Sequence, residues 1–521
     1  MLSLSVAFLA LSAHASPIFS RDDGTLVTTA QGAVQGTLVT PTVRQWLGIP
    51  YAAPPTGTSR FAAPQPAPSW SSTLSASAFG NSCPSVLDTE FLTIIGLLQQ
   101  QESIAYDEDC LNLNIWAPAT SRPQGGAVML WVYGGGDMFG SSNTPYYSGT
   151  TFVEDHDDLV IVTFNYRMDI FGFPNAPQQL TNVGLLDLDA AIQWVYANIA
   201  AFGGDPERIT IFGESAGALA VDAYAFSHPT DTVVKGIIAE SGTAQLTSIL
   251  QIGSTSPSET NSSWNTVANA LGCGTAGDAA QLACMQAVPW QTLLSEVVSG
   301  GESFTPYPDG QTIFSDVSTR SSNGEFLKVP FLVGNNANEG DIFAVAFEEG
   351  DFGNTIPVAT TVLSDAVTEV VFLCPASKAA NDRTNAGVAT WRYRFEGVYL
   401  DATNNNADLR AFHTVEVPMV FGTYNLSTFS YAPVSNEIAL SAWMQSAWVT
   451  FAQNPVSGLS SYGWTQYSTN ILSSTIARLG NSDNPSGATY SPPIDFDVGC
   501  GAVNALTPYV IDLIDDLGSI F

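Results

Sequence analysis

The chain has 521 residues, 45% of them hydrophobic and only 12% charged, with 44 glycines and 30 prolines. That composition describes a globular, loop-rich protein with ample core rather than a disordered or fibrous one. A formal net charge of −33 repels phosphate backbones and anionic lipid surfaces, which argues against nucleic acid as a partner. It fits an extracellular or acidic medium, and equally a merely solvated acidic surface.

The first segment, MLSLSVAFLALSAHA, is apolar but too short to span a bilayer, and it ends in Ala13-His14-Ala15, a small-x-small pattern suited to signal-peptide cleavage. Its start has no Lys or Arg; even so, the expectation is secretion, with residues 1–15 removed and 16–521 forming one domain. No later stretch is long and apolar enough for a transmembrane helix, so no stable membrane insertion is expected. Six cysteines in a secreted chain point to disulfides rather than reactive thiols or a metal cage. The pairing stays open: Cys273 and Cys284 lie close enough to close a small loop, Cys83 and Cys110 a larger one, and Cys374 and Cys500 are left over. Asn261 and Asn425 stand in N-x-Ser sequons and are candidate glycosylation sites.

Apolar, β-rich runs recur along the chain with helical stretches between them: AVMLWVY, DLVIVTFNY, ERITIFG, VVKGIIAESG and VPFLVGNN. Strands apolar throughout and separated by helices predict an α/β fold, a mostly parallel sheet covered on both faces. In DLDAAIQWVYANIAAF, Ala190, Ala191, Trp194 and Val195 fall on one helical face, and Gly203-Gly204 supplies a stop. No internal repeat, low-complexity tract or long charge run divides the chain, and Pro-rich stretches such as GIPYAAPPTG suit fixed loops better than linkers.

FGESAGA places Ser215 between an apolar strand and a small-residue helix, where a nucleophile would stand. Gly213 and Gly217, lacking a Cβ, let strand and helix pack closely around a sharp turn. An ordinary strand-to-helix turn has the same pattern, so its partners decide. A serine hydroxyl needs a base, and histidine, with an ordinary pKa of about 6.5, suits the task. Of the four histidines, His14 lies in the leader, His156 in a charged loop and His228 just past the elbow helix. His413 follows late in the chain, as the base of a doubly wound hydrolase should. His413 and Glu416, spaced i, i+3, could face one another on a helix, but a metal would find too few further ligands. Glu339, in FLVGNNANEGDIF, stands where a strand ends, between nucleophile and base, as the orienting acid should. LWVYGGGDMFG offers unhindered backbone N–H groups for an oxyanion; the lysine of a P-loop is missing, and Asp137 would repel phosphate.

Together, GIPYAAPPTGTSRF, EDCLNLNIWAP, YGGGDMFGSS, FNYRMDIFGF, NIAAFGGDPERITIFGESAGA, GNNANEGDIF and HTVEVPMVFG resemble the type-B carboxylesterase/lipase family of α/β-hydrolases, secreted fungal-type members in particular, over nearly the whole mature chain. The resemblance implies an α/β-hydrolase fold and a triad of Ser215, Glu339 and His413. It also implies an oxyanion hole from the amides of Gly135, Gly136 and Ala216, and disulfides Cys83–Cys110 and Cys273–Cys284. Two departures stand out: Asp137 where an aromatic usually follows the glycines, and Thr414 where a glycine usually follows the histidine.

The reaction implied is hydrolysis of a carboxylic ester, small-molecule or lipid, through an acyl-enzyme on Ser215, with no cofactor and no metal. EFLTIIGLLQQQ, inside the segment between Cys83 and Cys110, corresponds to a lid in the family's lipases, which favours hydrophobic acyl groups; buried scaffold is the competing reading. Residues 84–109 hold no tryptophan, which speaks against cholinesterase activity. A lipase acting on long-chain acylglycerols or sterol esters is the alternative within the class. A secreted binding or adhesion module on the same fold is the alternative outside it.

Overall fold

The computed structural model describes residues 24–85, 105–119, 125–249, 262–349, 360–426 and 430–501. The leader, the EFLTIIGLLQQQ segment and Asn261 lie outside them. The main sheet has 11 strands: β1 (Thr37–Thr40), β2 (Val43–Pro50), β3 (Asn112–Pro118), β4 (Gly126–Val132), β5 (Leu159–Phe164), β6 (Gly204–Glu214), β7 (Val234–Glu240), β8 (Phe331–Asn336), β9 (Thr390–Phe395), β10 (Ile476–Leu479) and β11 (Ala488–Ser491). Their spatial order is β11-β10-β9-β8-β7-β6-β4-β5-β3-β2-β1. From β5 across to β10 every neighbour is parallel. Antiparallel pairs close both edges.

The middle strands are apolar without alternation because helices cover both faces: every residue of β4, β5 and β8 is buried. Burying one large apolar side chain here contributes about 1.5–3 kcal/mol relative to exposure. Trp131 of β4 packs against Phe212 of β6 and against Phe421 and Tyr147, knitting the sheet to one covering layer. The helix Val183–Phe202 buries Ala191, Trp194 and Val195 and leaves Ala190 half-buried. It stops at Gly203, whose φ of 97° is left-handed, so the chain turns directly into β6.

Helices Ser262–Ala270, Ala279–Ala287 and Trp290–Gly300 follow β7 and gather a second apolar cluster around Trp264, Met285, Leu293 and Phe304. Cys273–Cys284 closes across this insertion. Arg60 ties it to the Cys83–Cys110 region: its guanidinium pairs with buried Glu108 at 2.6 Å and donates to the carbonyls of Met285 and Val288. Cys374–Cys500 is the third bond, so the pair left over by the sequence also joins.

Candidate active site

The site assembles at the carboxyl ends of consecutive parallel strands, where open α/β sheets place their chemistry. Ser215 follows β6 with φ 57° and ψ −123°, a strained conformation for a residue with a Cβ, and immediately begins the helix Ala216–Ser227. The glycines explain how the strain persists. A Cβ on Gly217 would lie 2.0 Å from the Val132 carbonyl oxygen, and one on Gly213 would lie 2.6 Å from the Gly217 backbone. Only bare backbone lets β4, β6 and the helix meet there. A Cβ on Gly134, just past β4, would touch Ser215 Cβ at 2.7 Å, so the glycine loop lies directly against the candidate nucleophile. Beyond it, Gly135 and Gly136 take φ of 114° and 63°.

The structure brings Ser215, His413 and Glu339 together. His413 Nε2 is 2.8 Å from Ser215 Oγ, and its Nδ1 is 2.7 Å from Glu339 Oε2. The carboxylate at Nδ1 selects the tautomer whose Nε2 lone pair faces the serine. Glu339 is fully buried, and its other oxygen accepts from Ser241 Oγ at 2.6 Å and from the Asn336 amide at 2.6 Å. The other described histidines stand elsewhere: His228 stacks on Tyr224 at 4.2 Å and meets Ser227 Oγ through Nδ1, and His156 caps the end of the helix Thr150–Asp155.

His413 does not lie on a helix with Glu416. It sits in a turn, and Glu416 precedes the short helix Val417–Phe421. The two are nevertheless joined, through Asn336 and Ser241 rather than face to face: Asn336 Nδ2 donates to Glu416 Oε2, and Ser241 Oγ lies 3.3 Å from Glu416 Oε1. Sequence reasoning also missed Glu214, whose Oε1 is 3.1 Å from His413 Nε2, and Glu240, which accepts from Trp448 Nε1 at 2.7 Å. Burial first, then the neighbouring carboxylates, pushes Glu214 well above the usual range and Glu416 up to about 8. Burial thus disfavours the charged form of both carboxyl groups beside the triad. Asp137 is pushed up to about 7 by burial alone. Thr414 adopts φ 77°, where a β-branched residue is strained and a glycine would not be. Among the described residues no group of three or more His, Cys, Asp or Glu is arranged to hold a metal.

The model of the carboxylesterase family matches residues 23–356 and 354–485. The chain belongs to that family. This carboxylesterase is 34% identical over 462 residues to a chlorogenic acid esterase of Aspergillus niger, covering 84% of each chain. It is 31% identical over 526 residues to secreted lipase 5 of Gibberella zeae, covering 94% of this chain and 96% of the relative. A para-nitrobenzyl esterase of Bacillus subtilis is 30% identical over 477 residues, with 85% and 92% covered. The resemblance drawn from the motifs and the α/β-hydrolase fold are borne out, and the carboxylesterase is a carboxylic ester hydrolase. Among its described residues no helix is long and apolar enough to cross a membrane.

Proposed function

We propose that this carboxylesterase hydrolyses its ester through an acyl-enzyme on Ser215, with His413 as general base and then general acid and Glu339 holding the imidazole. The observation that carries the reading is the pair of hydrogen bonds on one ring, 2.8 Å to Ser215 and 2.7 Å to Glu339. Ser215 attacks the carbonyl as its proton passes to His413 Nε2. The tetrahedral oxyanion is received by the amides of Gly135, Gly136 and Ala216, at the strand end where glycines leave the backbone uncovered. His413 then protonates the leaving alcohol, and water repeats the cycle to free the acid.

The favoured substrates carry hydrophobic acyl groups, and the protein acts outside the cell as one domain over residues 16–521, after loss of 1–15. Glycans at Asn261 and Asn425 belong to the same reading; Asn425 is exposed. Likeness to secreted lipase 5 supports the lipase alternative, and likeness to a chlorogenic acid esterase supports phenolic esters.

The test is turnover of p-nitrophenyl acetate by wild type and by Ser215→Ala. We expect a loss of at least about 10³-fold with the fold retained; equal rates would overturn the acyl-enzyme and favour a binding module. A series of acyl chains from acetate to palmitate, with chlorogenate beside it, then ranks the ester classes, and a flat response would remove the hydrophobic-acyl reading.

A further inference from the structure

The site contains an element that the hydrogen bonds between the triad side chains do not use. Residues Thr368–Leu373 form a π-helix between the helices Thr360–Val367 and Cys374–Asn385, and such turns recur at functional sites. Pro375 supplies a local cause: it has no N–H for the carbonyl four residues earlier, and its ring crowds that carbonyl. The widened turn puts two side chains, four residues apart, on the loop that carries the acid and on the base of the triad. Thr368 Oγ1 accepts the N–H of Gly340, the residue after Glu339, at 3.0 Å. The Phe372 ring lies against the His413 ring with centroids 4.6 Å apart, and Phe343 closes on both, 5.5 Å from His413 and 6.2 Å from Phe372.

Several ties hold this turn in place. A Cβ on Gly340 would lie 2.1 Å from the Ser364 carbonyl oxygen, so the preceding helix sits directly on the loop that carries Glu339. Behind the turn, Cys374 is bonded to Cys500, and Arg392 donates to the Leu373 carbonyl at 3.4 Å while pairing with Asp497.

We propose that Phe372 is a positioning residue for the His413 base. Hydrogen bonds at the two nitrogens of an imidazole fix the ring's position along its own plane but resist tipping out of that plane only weakly. A packed aromatic ring supplies that restraint and shields that side of the base from water. The effect falls on the proton-transfer step and not on substrate binding.

This proposal rests on the triad reading, so the experiment separates the two. Active sites are counted with a fluorophosphonate probe, and kcat per labelled serine and KM are measured for p-nitrophenyl acetate in wild type, Phe372→Ala, Phe372→Leu and Phe372→Tyr. We expect kcat per labelled site to fall about tenfold in the Ala and Leu variants with KM within about twofold, and the Tyr variant to recover most of the loss. Leu fills much of the volume and keeps the proposal testable should Ala fail to fold. Wild-type kcat per labelled site in Ala or Leu, a change confined to KM, or a Tyr variant no better than Leu would overturn the proposal. A wild-type protein that hydrolyses the ester without labelling at Ser215 would instead overturn the triad.

Discussion

Ser241 has one hydroxyl proton, and at 2.6 Å it goes to Glu339. Glu416 Oε1, 3.3 Å away, is a second and longer acceptor for the same hydroxyl, and burial with the adjacent Glu214 and Glu339 raises that carboxyl to about 8. The orienting acid therefore depends on a short polar side chain from the end of β7. Ser241→Ala removes one hydrogen bond from a charged acceptor, worth about 1.5–3 kcal/mol. Turnover should fall about 10- to 100-fold, with KM little changed; steady-state kinetics showing wild-type kcat would refute the dependence. Ser215, His413 and Glu339 were legible because each belongs to a quoted motif and their chain order is constrained. Ser241, Asn336 and Glu416 were also inside quoted stretches, but a serine, an asparagine or a glutamate at the end of a strand or in a turn has many uses, and no spacing rule linked them. Phe372 gave no sequence signal at all, since its placement depends on one widened helical turn.

The strand-turn-helix around Ser215 is an element whose shape is set by what its glycines lack. Gly217→Ala would push a methyl group to 2.0 Å from the Val132 carbonyl oxygen, in a place walled by backbone that cannot step aside. We expect a loss of at least about 2 kcal/mol, read as a lower denaturation midpoint together with loss of fluorophosphonate labelling. An unchanged midpoint would mean the close packing is not needed. The buried parallel strands β4 to β8 were read to within a few residues because unbroken apolar runs have few other uses; β9, also buried and parallel, was not named, its apolar run being broken by Arg392 and Arg394. Toward the two edges, β1, β2, β3, β10 and β11 were not named either; β1, β10 and β11 are short and mixed in polarity. The helical pairing of His413 with Glu416 failed for a related reason: three-residue spacing also fits a turn, and Pro418 starts the short helix only after Glu416.

Across the whole molecule, buried acids set how stability responds to pH. Burial holds Asp137, Asp169 and Asp189 up at about 7 and Glu416 at about 8. In the unfolded chain all of them return to the ordinary carboxylate range of about 4. Below that range both states are protonated and these groups do not discriminate. As pH rises toward 8 the unfolded chain has released protons that the folded chain still keeps, so stability is lost, and above 8 the loss is complete. Self-repulsion from a net charge of −33 at pH 7 acts in the same direction. Thermal unfolding should therefore show a Tm that is higher near pH 5 than near pH 8, and a Tm that climbs over that interval would contradict the account.

The bond between Cys374 and Cys500 spans 126 positions, and order of synthesis gives that number a meaning. The ribosome releases β9, His413 and β10 before the partner thiol exists. Until then, an oxidant meeting the nascent chain finds Cys374 with only the four earlier cysteines for company. Mispairing during manufacture is thus a hazard concentrated on this one sulfur, and it is relieved when the earlier cysteines have already found each other.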